Sequence, residues 1–383
     1  DHGGPIETTR RFGQIWASKG HSQDIATMEP PEAAFMPDYP GNIYRLGEKL
    51  GRGPRSRYRY APRALPWLKE NLPRYDAVIV SGLWRYTARA ARLALVGGRV
   101  PYFVYPHGML DPYFSETNRV KHWVKQASWM FAEGPLLNHA TRVLFTSDEE
   151  AERAKETFRP YRLNPAVIGY GTADVPAANP AQEASFRAAV PALGNRRFLL
   201  FLSRIHAKKG CDLLVQGYAE MAAGMPGIDL VIAGPDQSGL VAGLKEQATR
   251  AAVGGRVHFP GMLQGDAKYG AFRGCEAFIL PSHQENFGVV VAEALACARP
   301  VLISDKVNIW REIVADESGL VEPDTLDGVR ALIARFNSLS PAERQEMRRK
   351  ARHSFVERFD AQRAAEALIA LIERESSAAR YRE

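Results

Sequence analysis

Cysteine is scarce in this chain: Cys211, Cys275 and Cys297 are the only three in 383 residues, and none stands in a Cys-x-x-Cys pair. That excludes a disulfide framework and argues against structural zinc, and it suits a reducing compartment. Long apolar runs are missing, so no stretch reads as a bilayer-spanning helix. No Asp-x-Asp occurs, and no His, Asp or Cys cluster has metal-ligand spacing, so metal-independent chemistry is expected. Gly-x-Ser-x-Gly and Walker-type glycine loops are absent as well. No short-period repeat or low-complexity tract appears.

What is present is the composition of a globular protein, 45% hydrophobic and 24% charged, at a length that favours two domains. A net charge of +7 and a pI near 9.3 point to acidic partners. Arg45, Lys49, Arg52, Arg55, Arg57, Arg59, Arg63, Lys69 and Arg74 crowd residues 45–74, interleaved with Tyr58, Tyr60 and Trp67. Two readings stand at this point, an anionic membrane surface and a solvated basic loop. Nucleic acid is not expected, because no recognition motif accompanies the charge.

Short apolar strands alternate with helical stretches twice along the chain. Strands are predicted at 24–28, 76–80, 101–105 and 142–146, then at 198–202, 229–233, 257–259, 276–280 and 301–304, with helices at 5–19, 211–221, 289–298 and beyond 341. This is the pattern of an α/β fold with two Rossmann-like domains and parallel sheets, facing each other across a cleft. The Ala- and Pro-rich stretch 172–197 is read as the link. The domains expected are 1–175, 176–355, and a C-terminal helix over 356–383 that packs back on the first. If a βα unit opens at Gly3-Gly4, its strand lies upstream of Asp1.

The organising stretch is 281–293: it follows the strand at 276–280, runs through the polar loop Ser282 to Phe287, and reaches Gly288 at the start of a helix. Backbone N–H groups at a helix start favour a phosphate, while Glu285 beside it suits hydroxyls; an ordinary strand-to-helix turn is the plain alternative. The loop 203–210 offers Arg204 and Lys209, a diphosphate grip or a solvated turn. His107, after the strand at 101–105, is either a structural histidine or a ligand group at the carboxyl end of a sheet. Gly3 and Gly4 carry the same logic weakly. A hydrolase using Glu285 and Glu293 as paired carboxylates has no use for the diphosphate grip, so a donor sugar joined to a diphosphate fits better.

These residues together resemble a known family. Glu285-x-Phe287-Gly288-x4-Glu293 is similar to the Glu-x7-Glu signature of the retaining glycosyltransferases of family 4, which have the GT-B fold. Arg204 and Lys209-Gly210 look like that family's diphosphate cations, His2-Gly3-Gly4-Pro5 like its glycine loop, and Pro106-His107-Gly108-Met109 like its donor-sugar turn. Gly82-Leu83-Trp84 and Ala233-Gly234-Pro235-Asp236 look like stretches of bacterial exopolysaccharide and O-antigen members. Where the family usually has Pro-Asn-Gly entering the second domain, this chain has Gly169-Tyr170-Gly171-Thr172.

The resemblance implies a metal- and cofactor-independent hexosyltransferase with a nucleotide diphosphate sugar as donor. The acceptor implied is a saccharide or polyprenyl-diphosphate-linked sugar, at the inner face of the cytoplasmic membrane. It implies catalytic roles for His107, Arg204, Lys209 and Glu285, with Gly3, Gly4, Asn286, Phe287, Gly288 and Glu293 binding the donor. Glu285 would hold sugar hydroxyls and Glu293 the ribose. The rival readings are a catalytically silent nucleotide-sugar-binding or scaffold protein of the same fold, and a nucleotide-sugar epimerase.

Overall fold

The computed structural model describes residues 4–33, 36, 38–112 and 119–380. The chain divides into two units, one of residues 1–170 with 361–383 and one of residues 171–360.

In the first unit β1 (Ile25–Thr27) pairs in parallel with β2 (Ile43–Arg45). A separate parallel sheet runs β3 (Val78–Ser81), β4 (Tyr102–Tyr105), β5 (Arg142–Phe145) and β6 (Pro165–Val167), in that order. All four residues of β4 are buried, as in a parallel strand covered on both faces. The helix Tyr86–Leu95 contributes Ala88, Ala91 and Leu95 to the same core as Val80, Val104 and Val143. Phe12 and Trp16 of the helix Gly4–Ser18 are buried, and the Trp16 indole N–H donates to the Ala365 carbonyl at 2.8 Å. That bond joins the first helix to the last, Ala361–Arg380, with Lys19 and Glu366 paired beside it at 2.8 Å. β2 and β6 were not expected from the sequence; at three residues each they are too short to show alternation.

The second unit is a six-stranded, all-parallel sheet in the order β12-β11-β10-β7-β8-β9. Its strands are β7 (Arg197–Leu202), β8 (Ile228–Ala233), β9 (Val257–Gly261), β10 (Ala277–Leu280), β11 (Val301–Ser304) and β12 (Gly319–Glu322). The chain builds outward from β7 through β8 to β9, returns to lay β10 on the other side of β7, and builds outward again. β7 and β10 are therefore neighbours whose following connections run opposite ways. Open α/β sheets bind ligands at such a switch point.

The stretch 172–197, expected as the link, is part of the second unit and contains the helix Pro180–Ala189. Proline at a helix's first position lacks only a donor that would be unpaired anyway, and alanine is the best helix former. The Asn179 side chain caps the helix by accepting from the Gln182 N–H at 3.0 Å, and Phe186 stacks on Phe198. The chain crosses between units at Tyr170–Gly171 and again at Asp360–Ala361. Thr172 N–H donates to the Phe359 carbonyl at 2.8 Å, which holds the second unit's two ends side by side.

Candidate functional site

The loops after β7 and β10 meet at the switch point. After β7, Ser203 N–H donates to the Ala233 carbonyl and Ile205 N–H to the Pro235 carbonyl, so Arg204 is held between two strand-like contacts with its side chain exposed. The His206 ring then accepts from Lys208 N–H at 3.1 Å and caps a short turn. Gly210 ends that turn at φ +64°, and a Cβ there would lie 2.2 Å from the Pro281 carbonyl oxygen of the other loop. This close approach requires glycine. It delivers Lys209, only 6% exposed, to Glu285: the ammonium donates to Oε2 of that carboxylate.

Glu285 is clamped from a third side. Its N–H donates to the Lys306 carbonyl at 2.9 Å, and its carbonyl accepts from Asn308 N–H at 3.0 Å. Phe287 turns its ring into the core against Phe359, so its backbone is what it can present to a ligand. Asn286 accepts a long bond, 3.4 Å, from the Asn308 side chain. Gly288 then opens the helix Val289–Ala296 from a left-handed conformation, φ +69°. Within that helix Glu293 pairs with Lys268 of the helix Gly265–Gly274 at 2.7 Å through Oε1, while its Oε2 is buried with no hydrogen-bond partner among the described residues. A second acceptor held in this way awaits a donor such as a hydroxyl.

In the first unit the turn after β4 carries His107 at φ +54°. Its ring lies flat against Tyr105, 5.5 Å between centroids and 9° between planes, with Tyr170 on another side. Nε2 is 2.5 Å from the Ser81 hydroxyl, at the end of β3, and Nδ1 is buried without a partner among the described residues. Burial pushes the imidazole pKa down to about 4, so the ring is neutral at pH 7.

The turn is fastened from behind by Glu150, itself 4% exposed. One carboxylate oxygen accepts from Gly108 N–H at 2.6 Å; the other accepts from the backbone N–H and the hydroxyl of Thr146, at 2.7 and 2.6 Å. The spacing Ser147-x-x-Glu150 resembles a capping box, and Ser147 does cap the helix Asp148–Ala154. The glutamate reaches the His107 turn, however, which no local spacing could reveal.

Gly4 is the first residue of the helix Gly4–Ser18, and Gly3 lies outside the described residues. In the basic stretch, Arg52, Arg55, Arg57 and Arg59 are exposed, but its aromatics pack within the unit. Trp67 lies 4.6 Å from Tyr44, and Tyr58 and Tyr60 both meet Tyr86 edge-on. The three cysteines are buried, with the Cys211 and Cys275 thiols pushed up to about 12 and Cys297 to about 11 by burial, so none is a thiolate nucleophile at pH 7. Among the described residues no three His, Cys, Asp or Glu side chains group as a metal site would require. Sequence reasoning missed Lys268 and Glu150, because each acts through a fold contact far from its partner in sequence.

Comparison with known proteins agrees with this architecture. The family of glycosyl transferases group 1 matches residues 182–354, and a glycosyl transferase 4-like domain matches residues 3–171. A D-inositol 3-phosphate glycosyltransferase of Saccharomonospora viridis is 31% identical over 250 residues, 63% of this chain and 57% of that protein. The chain thus spans little more than half of that relative. Sucrose-phosphate synthase from Thermosynechococcus elongatus superposes with a TM-score of 0.76 at 19% identity, over 98% of this chain and 94% of that one. HepE from Anabaena, solved with UDP and glucose, does so at 0.73 and 16% identity, over 97% and 96%. These likenesses carry the fold. The chain has the GT-B architecture, with a glycosyl transferase 4-like domain over residues 3–171 and a glycosyl transferases group 1 domain over residues 182–354.

Proposed function

We infer that this protein is a retaining glycosyltransferase, moving a hexose from a nucleotide diphosphate sugar to a saccharide or lipid-linked acceptor. The observation that carries the reading is the meeting of Lys209 and Glu285 at the switch point, beside exposed Arg204 and the helix start at Gly288. In this reading Arg204 and Lys209 neutralise the departing diphosphate, helped by backbone N–H groups at the helix start. Donors fixed in advance at growing charge are usually a large catalytic contribution. Glu285 aligns sugar hydroxyls, and the Oε2 of Glu293 accepts from the ribose. His107, neutral at pH 7, contributes a hydrogen bond to the sugar rather than a charge.

The acceptor hydroxyl attacks the anomeric carbon on the face the leaving group departs from. The bond from that carbon to the phosphate oxygen breaks, and the freed oxygen takes the acceptor's proton. The protein then needs neither a dedicated base nor a metal. A role in cell-surface polysaccharide synthesis, at the cytoplasmic face of the membrane, is the setting that fits such acceptors.

The test is a thermal-shift screen against UDP, GDP and ADP sugars, followed by product analysis with the sugar that stabilises the protein. UDP sugars come first, because the Anabaena neighbour was solved with UDP-glucose. Transfer, or slow donor hydrolysis, with the anomeric configuration kept supports the reading. Binding without turnover would make the protein a scaffold or sensor, and an isomerised donor an epimerase.

A further inference from the structure

Four of the nine exposed large hydrophobic residues among those described fall within one short segment of the first unit: Trp123, Val124, Met130 and Phe131, at 72, 67, 56 and 71% exposure. Trp123 and Val124 lie on the helix Arg119–Ser128, and Met130 and Phe131 on the turn that follows it, Trp129–Glu133. The segment is not loose. Trp129 is buried and stacks on Phe158 at 5.1 Å, with its indole N–H donating to the Pro160 carbonyl at 3.0 Å. His122 stacks on the other reach of Phe158, and the Lys125 ammonium sits 4.8 Å over the Trp84 ring. Gln126 donates to the Arg159 carbonyl at 2.6 Å. Two bulky aromatics, a valine and a methionine are therefore held outward by a framework packed behind them.

Within the segment itself the sequence carries charge of one sign. From Arg119 to Ala132 the sequence has Arg119, Lys121 and Lys125 and no acidic residue. The next acid, Glu133, is 2% exposed and accepts from the Ser128 hydroxyl at 2.7 Å. No described helix is long and apolar enough to cross a membrane. Tryptophan and phenylalanine beside lysine and arginine match the boundary layer of an anionic bilayer, where rings enter the acyl edge and cations meet phosphates. A second copy of this chain is a poorer occupant, since its net charge is also +7. We propose that residues 123–131 seat the protein on an anionic lipid surface. This places the apolar anchor outside the basic stretch 45–74, whose aromatics Tyr58, Tyr60 and Trp67 are in ring contact with Tyr86 and Tyr44. The proposal does not depend on the transfer reaction.

The experiment sediments the whole chain with vesicles of phosphatidylcholine, alone or mixed with phosphatidylglycerol. The unaltered protein should sediment with the mixed vesicles, less so as salt rises, and little with the neutral ones. The pair Trp123→Ser with Phe131→Ser should lower partitioning at least about tenfold, leaving the melting temperature unchanged because both side chains are already in water. Val124→Ser with Met130→Ser should lower it independently. Leu93→Ser, an exposed leucine elsewhere on the unit, should bind as the parent does. Undiminished binding in both pairs, equal binding to neutral vesicles, or no binding by the parent would overturn the proposal. So would a parent dimer that the substitutions turn monomeric without vesicle binding, which would assign the patch to a second copy.

Discussion

The Lys209 ammonium donates to the Glu285 carboxylate across the switch point, joining the loop after β7 to the loop after β10. The lysine is the more deeply buried partner, with its side chain 7% exposed against 22% for the glutamate. Removing the glutamate strands a buried charge, whereas removing the lysine leaves a carboxylate that reaches water. Glu285→Ala should therefore cost about 3 kcal/mol of unfolding free energy. Lys209→Met, which keeps the apolar stem, should cost distinctly less, and the double variant should recover part of the Glu285→Ala loss. Urea denaturation of the four proteins measures this, and simple additivity would contradict it. Turnover should fall at least about tenfold in each single variant, roughly 1.4 kcal/mol of transition-state stabilisation.

Two glycines frame the same loops but under different constraints. At Gly288 a Cβ would meet side-chain carbons at 3.1 to 3.4 Å, which must yield by a few tenths of an ångström, so Gly288→Ala should cost chiefly the left-handed strain, about 1–2 kcal/mol. At Gly210 the same strain is joined by a backbone oxygen 2.2 Å away, which has no side chain to swing aside. Gly210→Ala should lower the melting temperature by more than Gly288→Ala. The reverse order would mean that the two loops do not approach as described.

Much of the second unit was legible in sequence. Buried parallel strands appear as unbroken apolar runs such as Phe198 to Leu202, and a run that ends in polar residues and glycine marks the loop that faces a ligand. The types of the site residues were legible for the same reason. What they touch was not. Lys209 and Glu285 are 76 residues apart, and the resemblance gave each a ligand, not each other. The helix Pro180–Ala189 was hidden because proline and small residues read as a linker until a cap is recognised. The aromatics at 58–67 read as amphipathic among their arginines, but their ring contacts with Tyr44 and Tyr86, from other elements, were not legible in the sequence.

The buried imidazole of His107 makes a signed prediction for pH. Its pKa in the folded protein is about 4, below the usual value of about 6.5 for the unfolded chain. Between those values the unfolded chain binds a proton that the folded protein does not. The stability tied to the neutral ring is thus fully present above about pH 6.5 and is lost as pH falls towards 4. His107→Asn should flatten the fall of stability with acid in that window. Proton NMR titration of the ring should give a midpoint near 4, and a midpoint near 6.5 would refute the buried neutral state.

Glu150 touches no proposed substrate, yet it sets where His107 stands by accepting from the N–H groups of both Gly108 and Thr146. In Glu150→Gln one of these donors, or the Thr146 hydroxyl, faces an amide N–H. A loss of about 1–3 kcal/mol of stability follows. Displacing the turn should lower kcat while leaving the affinity for free nucleotide unchanged, since the nucleotide contacts proposed are all in the second unit. A matching loss of nucleotide affinity would show that Glu150 acts through general destabilisation instead.

The two glutamates of the stretch 281–293 are separable because their environments differ. Glu285 engages Lys209 through one oxygen and stands at the loop, whereas Glu293 engages Lys268 through Oε1 and keeps a buried Oε2 without a partner among the described residues. If Oε2 receives the ribose hydroxyl, Glu293→Ala should abolish most of the thermal stabilisation produced by the nucleoside diphosphate alone. Glu285→Ala should keep that stabilisation and lose only the increment that the attached sugar adds. Lys268→Met serves as the internal control: with Oε1 released, the Glu293 carboxylate can rotate, so nucleotide affinity should fall less than in Glu293→Ala. Equal responses of the two glutamate variants to nucleotide and to nucleotide sugar would remove the division of labour between them.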